Sequence, residues 1–248
     1  MKRIADYAAR SEKGDSREKN EDSWYANPEM GLFIIADGMG GHHGGEIASK
    51  LVVTRLPELI NDGLLHHIDS HTEDETLDKL SMLLKELSTQ VFNEGLMETG
   101  LHGMGATVVM ALIHNGTAYI GHMGDSRLYL YRDNQLAAMT HDHSITQYLI
   151  DTGAITKEQA RHHESHGRIS QYAGMNGDPL PAVTSLTLQN KDRLLMCTDG
   201  LTGTVEESSI ASLLEKVHEL QNGCERLIAL ANQTNAKDNI TVMLVDIN

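Results

Sequence analysis

The sequence predicts an α+β fold in which most strands run antiparallel. Short apolar runs alternate with glycine and asparagine turns such as Asn115-Gly116, and four longer segments repeat apolar residues at helical spacing. No internal repeat, low-complexity tract or linker divides the 248 residues. We therefore expect a single domain over residues 1–248.

The elements follow in order from these patterns. Short runs bounded by turn residues predict strands, over residues 4–9, 23–26, 32–36, 106–113, 117–121, 128–131, 183–188, 193–197 and 240–245. Apolar residues three or four positions apart predict helices, over residues 45–60, 76–96, 207–220 and 224–232. Residues 61–72 are expected to be a polar loop. Short helical stretches near 145–150 and 156–163, among many histidines and charges, indicate a solvated flap over about 140–178.

The composition excludes several classes of function. With 35 acidic and 20 basic residues the net charge is -15, which argues against nucleic acid or an anionic membrane as a partner. No apolar run approaches the roughly 20 residues of a membrane span. Residues 1–10 also lack the apolar centre of a signal peptide. We expect a cytoplasmic protein, not inserted in a membrane, whose Cys197 and Cys224 are reduced.

Asp37 stands where an apolar strand ends in a glycine-rich turn. A lone carboxylate is costly to bury unless a cation or hydrogen-bond donors receive it. Gly38 and the glycines after it allow backbone groups to approach a ligand closely. Taken alone, this stretch fits a tight turn capped by Asp37 as well as it fits a binding site.

Other acids arrive at strand ends in a similar way. Asp199 follows a second apolar strand, Asp238 precedes the last strand, and Asp125 lies in a turn between strands. Glu21 and Asp22 are further acids. Oxygen ligands without companion cysteine or zinc-spaced histidine favour Mg²⁺ or Mn²⁺. Two such ions can share a carboxylate and a water, and they lower the pKa of that water.

Two polar segments have alternative interpretations. Arg17 could hold a phosphate with its guanidinium, or its loop, residues 11–22, could simply be solvated. The histidines at 162, 163 and 166 could form a metal tract, but no second ligand cluster completes such a site. A flap without metal is therefore favoured for this region.

Five segments of the chain carry most of these acids and glycines. They are Gly14-x-x-Arg17-x-x-Asn20-Glu21-Asp22, Asp37-Gly38-Met39-Gly40-Gly41-His42, Gly124-Asp125-Ser126-Arg127, Cys197-Thr198-Asp199-Gly200-Leu201 and Asp238-Asn239-Ile240-Thr241. In this order they resemble the motifs of the metal-dependent PPM-type (2C-like) serine/threonine protein phosphatases in their short bacterial form. The resemblance covers nearly the whole chain. It implies a four-layer α-β-β-α sandwich, with two antiparallel sheets packed face to face, helix pairs outside and a flap subdomain.

The resemblance also implies roles at a centre of two Mn²⁺ or Mg²⁺ ions. Asp37 would bridge both ions, and Gly38 would give its carbonyl oxygen to the second. Asp199 and Asp238 would complete the first.

The remaining motif residues would act around this centre. Asp22 and Glu21 would bind or orient metal waters. Asp125, together with the central Asp-Gly acid, would hold a weaker third ion. Arg17 would clamp the substrate phosphate.

Two positions depart from the family pattern. Animal members carry a proposed general-acid histidine where this chain has Met39. The proton for the leaving group would then come from a metal-bound water, which we favour, or from His42. Residues 171–178 differ from the usual Arg-Ala-Leu-Gly pattern, so substrate preference cannot be transferred.

The implied function is hydrolysis of phosphoserine and phosphothreonine in proteins by a hydroxide that bridges the two ions. The expected partners are phosphoprotein substrates and an opposing Ser/Thr kinase, and the expected state is a monomer. An inactive phosphopeptide-binding or scaffold module on the same fold is the alternative, disfavoured because all the core acids are present. A phosphatase dedicated to one partner, such as an anti-sigma antagonist, would differ only in substrate.

Overall fold

The computed structural model describes residues 5–40 and 44–248. Its strands are β1 (Ala5–Glu12), β2 (Asp22–Asn27), β3 (Leu32–Met39), β4 (Gly105–Ala106), β5 (Val108–His114), β6 (Thr117–Met123), β7 (Arg127–Arg132), β8 (Gln135–Ala138), β9 (Ala182–Thr187), β10 (Arg193–Cys197) and β11 (Ile240–Ile247). Its helices are α1 (Gly44–Ile60), α2 (Glu73–Met97), α3 (Ile145–Asp151), α4 (Lys157–Ala160), α5 (Asp199–Thr202), α6 (Glu207–Leu214) and α7 (Leu220–Gln233).

The strands form two antiparallel sheets. Sheet I has the order β1-β11-β10-β7-β8, and sheet II has the order β2-β3-β5-β6-β9, with β4 paired to β3. Because β1 and β2 lie in different sheets, the loop between them crosses from one sheet to the other. The same holds for the turn between β6 and β7. Both connections carry acids of the predicted site.

Alternation along the strands builds the layers. In β3, Ile34 packs with α1 and α2, whereas Ile35 packs in the cluster between the two sheets. On the other side, α6 and α7 cover sheet I through a separate apolar cluster. The predicted four-layer α-β-β-α sandwich is therefore confirmed.

The segment after α1 differs from the predicted polar loop. It contains a π-helical turn, Asn61–Leu65, and a 3-10 turn, Ile68–Ser70. Leu64 and Ile68 are buried in the cluster beneath α1 and α2. These two apolar residues anchor a segment whose other residues are mostly polar.

The helix predicted over 207–220 is also interrupted. The structure ends α6 at Leu214 and begins α7 at Leu220. Between them Val217 is buried, and its carbonyl accepts a hydrogen bond of 3.1 Å from Arg193 Nη1. This tertiary contact replaces a helical hydrogen bond, so the apolar periodicity alone overestimates the helix length.

The predicted flap lies between β8 and β9. Bridges join Ser144 to Ile169 and Ala106 to Ala173. The helix α3 matches the stretch predicted near 145–150 to within one residue, whereas α4 is shorter than the stretch predicted over 156–163. Gly174 N–H donates to Ser88 Oγ of α2 at 3.0 Å. Across the two described ranges, no helix combines the length and the apolar character needed to cross a bilayer.

Candidate functional site

Five carboxylates from separate parts of the chain converge at one end of the sandwich. Asp22 at the start of β2 lies directly opposite Asp37 in β3. Asp199 begins α5, Asp238 precedes β11, and Asp125 lies between β6 and β7. Burial raises the pKa of Asp37 well above its ordinary value, and the charges of the other four acids raise it further. The structure thus brings together every aspartate predicted for the site.

The pKa values of the other acids show the same crowding. Burial, with smaller effects of neighbouring acids, raises the pKa of Asp22 to about 7 and that of Asp125 to about 8. The pKa of Asp199 is raised by burial and by Asp238, although a hydrogen bond with Asp37 partly opposes this shift. A nearby cation would favour the ionised form of these carboxylates and offset their mutual repulsion.

Two buried oxygens fit this need. Asp22 Oδ1 and Asp199 Oδ1 have no hydrogen-bond partner, although an unsatisfied buried acceptor is costly. Oxygen donors of this kind are the ligands that Mg²⁺ and Mn²⁺ prefer. No three acidic, histidine or cysteine side chains within the described ranges are arranged to hold a metal ion as they stand. Instead, Asp238 is turned to Arg17 and Asp37 is hydrogen-bonded to Asp199.

The turn after Asp37 packs tightly against the start of α1. Gly38 N–H donates to the carbonyl of Glu21 at 3.2 Å, and a Cβ on Gly38 would collide with the carbonyl oxygen of Gly45. A Cβ on Gly45 would lie 2.8 Å from Glu21 Oε1. The Glu21 carboxylate therefore lies against the first turn of α1, where the helix dipole favours negative charge.

Arg17 faces the acid cluster from the loop between β1 and β2. Its Nη2 donates to Asp238 Oδ2 at 2.6 Å, with 50% and 35% of the two side chains exposed. The hydrogen bond with Asp238 raises the pKa of Arg17, and the nearby charges of Asp37 and Glu21 raise it further by smaller amounts. A permanently charged guanidinium at this edge can meet a phosphate that approaches the acids.

Asn239 orders the Arg17 loop, which could otherwise have been read as merely solvated. Its Nδ2 donates to the carbonyls of Lys13 and Lys19, both at 2.8 Å, and its Oδ1 accepts from Glu21 N–H at 2.8 Å. Asn239 as a whole is 3% exposed. This role was missed in the sequence, although Asn239 lies within the Asp238-Asn239-Ile240-Thr241 motif.

Thr107 is a second residue that sequence reasoning missed. It lies at the break between β4 and β5, where one continuous strand was predicted. Its N–H donates to Asp37 O at 2.8 Å, and its Oγ1 accepts from Asp37 N–H at 2.9 Å. Its hydroxyl also lies 2.7 Å from Ser126 Oγ. Thr107 thus fixes the backbone of Asp37 and connects it to the turn that carries Asp125.

Gly124 makes this arrangement possible. Its φ is +111°, and an added Cβ would lie 2.6 Å from the Thr107 methyl carbon. The only sequence signal for Thr107 is a polar residue inside an apolar run, which is too common to be diagnostic.

Arg127 connects the same turn to the flap. It forms a fork with Asp142, with Nε to Oδ1 and Nη2 to Oδ2 distances of 2.7 Å each, and its Nη1 donates to Tyr129 OH at 3.0 Å. Asp142 raises the pKa of Asp125, whereas Arg127 lowers it. The fork therefore holds the base of the flap, and its two charges shift the pKa of Asp125 in opposite directions.

The flap histidines at 162, 163 and 166 are not arranged as a metal site, as expected for a flap without metal. His162 and His166 are exposed, and His163 Nδ1 accepts a hydrogen bond from Ser165 N–H at 3.1 Å. His42 lies outside the described residues, so its role as a proton donor stays a prediction.

Comparison with known proteins agrees with the site. A family model described as Protein phosphatase 2C matches residues 13–235. The serine/threonine protein phosphatase PstP of Mycobacterium tuberculosis is 36% identical over 242 residues, which are 97% of this chain and 45% of that protein. The serine/threonine phosphatase stp of Listeria welshimeri is 34% identical over 242 residues, 96% of this chain and 94% of that protein.

A solved structure is similarly close in fold. The catalytic domain of the serine/threonine protein phosphatase PstP, in complex with two manganese ions, superimposes with a TM-score of 0.81 at 35% identity, covering 98% of each chain. The chain thus spans less than half the length of PstP itself but nearly all of the Listeria phosphatase. These relatives lend no support to the alternative of an inactive module. The resemblance inferred from the five motifs is confirmed, and this chain belongs to the protein phosphatase 2C family.

Proposed function

We propose that this chain is a metal-dependent protein phosphatase that hydrolyses phosphoserine and phosphothreonine in proteins. The observation that carries the proposal is the cluster of buried carboxylates in which Asp22 Oδ1 and Asp199 Oδ1 lack any partner. A pair of Mn²⁺ or Mg²⁺ ions, with a weaker third, would satisfy these oxygens and the raised pKa values together. Family membership supports the same chemistry.

Each of the central residues has a proposed role in binding the two core ions. Asp37 would hold both core ions, the carbonyl of Gly38 would contribute to the second, and Asp199 and Asp238 would complete the first. When bound, the ions act as Lewis acids and lower the pKa of a water that they share, which supplies the nucleophile.

The surrounding residues hold water and substrate. Asp22 and Glu21 would bind or orient waters at the centre, and Asp125 would join Asp199 at the third ion. Arg17 binds the phosphate: a guanidinium has five N–H donors, and the described contacts of its side chain use one of them, toward Asp238. The leaving serine or threonine oxygen takes its proton from a water at the centre, with His42 as the alternative donor.

The setting of the activity completes the proposal. Residues 1–248 act as one phosphatase domain, with residues 140–178 as a flap subdomain beside the site. The protein works as a monomer in the cytoplasm, where it removes phosphate that a Ser/Thr kinase has added. The excess of acidic residues, 35 against 20 basic, supports protein substrates over nucleic acid.

The proposal is tested by hydrolysis of p-nitrophenyl phosphate and a phosphothreonine peptide with Mn²⁺. We expect turnover that EDTA abolishes and that inhibitors of the okadaic acid type leave unchanged. Calorimetric titration with Mn²⁺ and with the phosphopeptide runs in parallel. An inactive module would bind the peptide but release no phosphate, and that result would contradict the proposal. Phosphoproteomics of a deletion strain then identifies the substrates.

A further inference from the structure

The two oxygens of Asp22 have different surroundings. Oδ2 accepts hydrogen bonds from Thr241 Oγ1 at 2.6 Å and from Thr198 Oγ1 at 3.0 Å. Oδ1 is buried and has no partner. The carboxylate is therefore held through one oxygen while its other oxygen is left to the acid cluster.

This clamp joins the two sheets. Asp22 belongs to sheet II, whereas Thr198 follows β10 and Thr241 lies in β11, both in sheet I. Both threonines are fully buried. Thr198 N–H donates to the carbonyl of Thr241, and Thr241 N–H donates to Thr198 Oγ1, each at 3.0 Å. These two bonds hold Thr198 and Thr241 in place relative to each other, independently of the Asp22 carboxylate.

The direction of each proton in the network follows from donor counting. Thr241 has one hydroxyl proton, which it donates to Asp22, so Ser11 Oγ must be the donor in its 2.7 Å contact with Thr241 Oγ1. Ser11 in turn accepts from Asn20 Nδ2 at 2.7 Å. In this series of hydrogen bonds, from Asn20 through Ser11 and Thr241, each group donates toward Asp22 Oδ2. The network is therefore oriented to receive a charged carboxylate.

From this geometry we infer that Thr198 and Thr241 are positioning residues for the metal centre. Their hydroxyls hold Asp22 Oδ2 so that Oδ1 faces the metal centre, where it binds or orients a metal water. Neither threonine contacts the cation itself in this assignment. The inference rests on the proposed function, because it assigns Asp22 to the metal centre.

Isosteric variants test this assignment. Thr198→Val and Thr241→Val remove each hydroxyl at nearly constant shape, and Thr198→Ser and Thr241→Ser restore it. Mn²⁺ binding to the metal-free proteins is measured by titration calorimetry. Loss of a group that orients a metal ligand typically weakens affinity by about 10- to 100-fold, and we expect this for the valine variants. The serine variants should bind within about threefold of wild type, since the orienting bond is kept.

Two controls separate positioning from a general effect of the substitution. Thr76 of α2 is also fully buried, and its hydroxyl donates at 2.9 Å to the carbonyl of Thr72, the residue that caps the helix. Thr76→Val should leave the Mn²⁺ dissociation constant unchanged. In an Asp22→Asn background, Thr241→Val should have no further effect on Mn²⁺ binding, because the threonine acts through that carboxylate.

The outcomes are distinct. Valine variants that fold and bind Mn²⁺ like wild type, while wild type turns over substrate, would overturn this assignment alone. So would a Thr241→Val effect that persists in the Asp22→Asn background. If only the serine variants fold, the hydroxyls serve folding and the assignment is wrong. A wild-type protein that neither binds Mn²⁺ nor releases phosphate would overturn the proposed function as well.

Discussion

Asp199 shows how one residue joins burial to chemistry. It begins α5 directly after the apolar strand β10, and its Oδ1 is buried without a partner. Burial and the charge of Asp238 raise the pKa of Asp199, so ionising this carboxyl group in the folded protein costs free energy. A structural acid would be paired, as Asp192 is: Arg132 forks its carboxylate at 2.7 Å and 2.7 Å.

We predict that Asp199→Asn lowers the rate of p-nitrophenyl phosphate hydrolysis by at least ~10²-fold at saturating Mn²⁺. The amide keeps the shape but removes the charge, and loss of one preorganised electrostatic group typically has this effect. The matched control is Asp192→Asn, in which an acid 1% exposed is changed away from the site. It should lower the unfolding temperature and leave kcat unchanged. A near-normal rate for Asp199→Asn would contradict the metal assignment.

Thr107 acts on the backbone of the bridging acid and not on its carboxylate. We predict that Thr107→Val lowers kcat by about 10- to 100-fold at saturating Mn²⁺, because displacement of a catalytic group by about 1 Å has effects of this size. Thr107→Ser keeps the acceptor for Asp37 N–H and should stay within about threefold of wild type. Steady-state kinetics of both variants decide the question. Equal rates for valine and serine would show that the hydroxyl does not position Asp37.

At the scale of elements, the flap is attached to the sandwich by contacts of unequal strength. At its base, Arg127 and Asp142 pair with 26% and 13% of their side chains exposed. At its end, Lys85 and Asp178 pair at 3.3 Å with 38% and 79% exposed. Water screens the second pair much more than the first, so the base carries most of the electrostatic attachment.

We predict that Asp142→Ala lowers the free energy of unfolding by about 2 kcal/mol, because a largely buried guanidinium loses its two-bond carboxylate partner and keeps only Tyr129 and the more distant Glu207. Lys85→Ala should change it by no more than about 0.5 kcal/mol, as is typical of exposed pairs. Urea unfolding of the metal-free proteins measures both. Equal losses would mean that the two ends hold the flap equally.

At the scale of the whole molecule, the acid cluster opposes folding when no cation is bound. The pKa of Asp22 is raised to about 7 and that of Asp125 to about 8, from the ordinary value of 3.8. The folded state therefore binds protons that the unfolded state has already released. This contribution to stability is present at low pH and is lost as pH rises through these values.

A buried histidine works in the opposite direction over a different range. Burial lowers the pKa of His143 to about 4 from the ordinary 6.5, so its contribution to stability is lost as pH falls and is nearly complete above 6.5. His122, stacked on it at 4.5 Å between ring centroids, is shifted in the same direction by burial. Between pH 6.5 and 8 the buried acids therefore determine how the stability changes with pH.

We predict that the metal-free protein becomes less stable as pH rises from about 6.5 to about 8. Saturating Mn²⁺ should remove or reverse this trend, because a cation replaces the bound protons. Thermal unfolding at fixed ionic strength, with EDTA or with Mn²⁺, measures both curves. Asp125→Asn serves as the comparison, since it lacks one of the buried acids whose pKa is raised and should lose less stability over the same range. A flat curve for the metal-free wild type would contradict the proposed crowding of the acids.

Much of the fold could be predicted because its signals are local. The periodicity of residues 193–197 placed β10 at its observed bounds, and the helical spacing placed α1 within one residue. The segment at 61–72 and the end of α6 could not be predicted, since burial of Leu64 and the bond from Arg193 to Val217 are tertiary contacts. The strand β8 and the short helix α5 were missed for lack of a periodic pattern over so few residues.

For the site, the sequence alone determined which residues are chemically able to take part. A carboxylate at a strand end or a glycine in a tight turn is recognisable wherever it stands in a motif. Only the tertiary structure decided how these groups are held. The hydroxyl of Thr107 meets Asp37 across 70 residues, and that of Thr241 meets Asp22 across 219. The sequence near a hydroxyl does not indicate its hydrogen-bond partner, so its role becomes clear only when the packing of the two sheets brings the distant partner beside it.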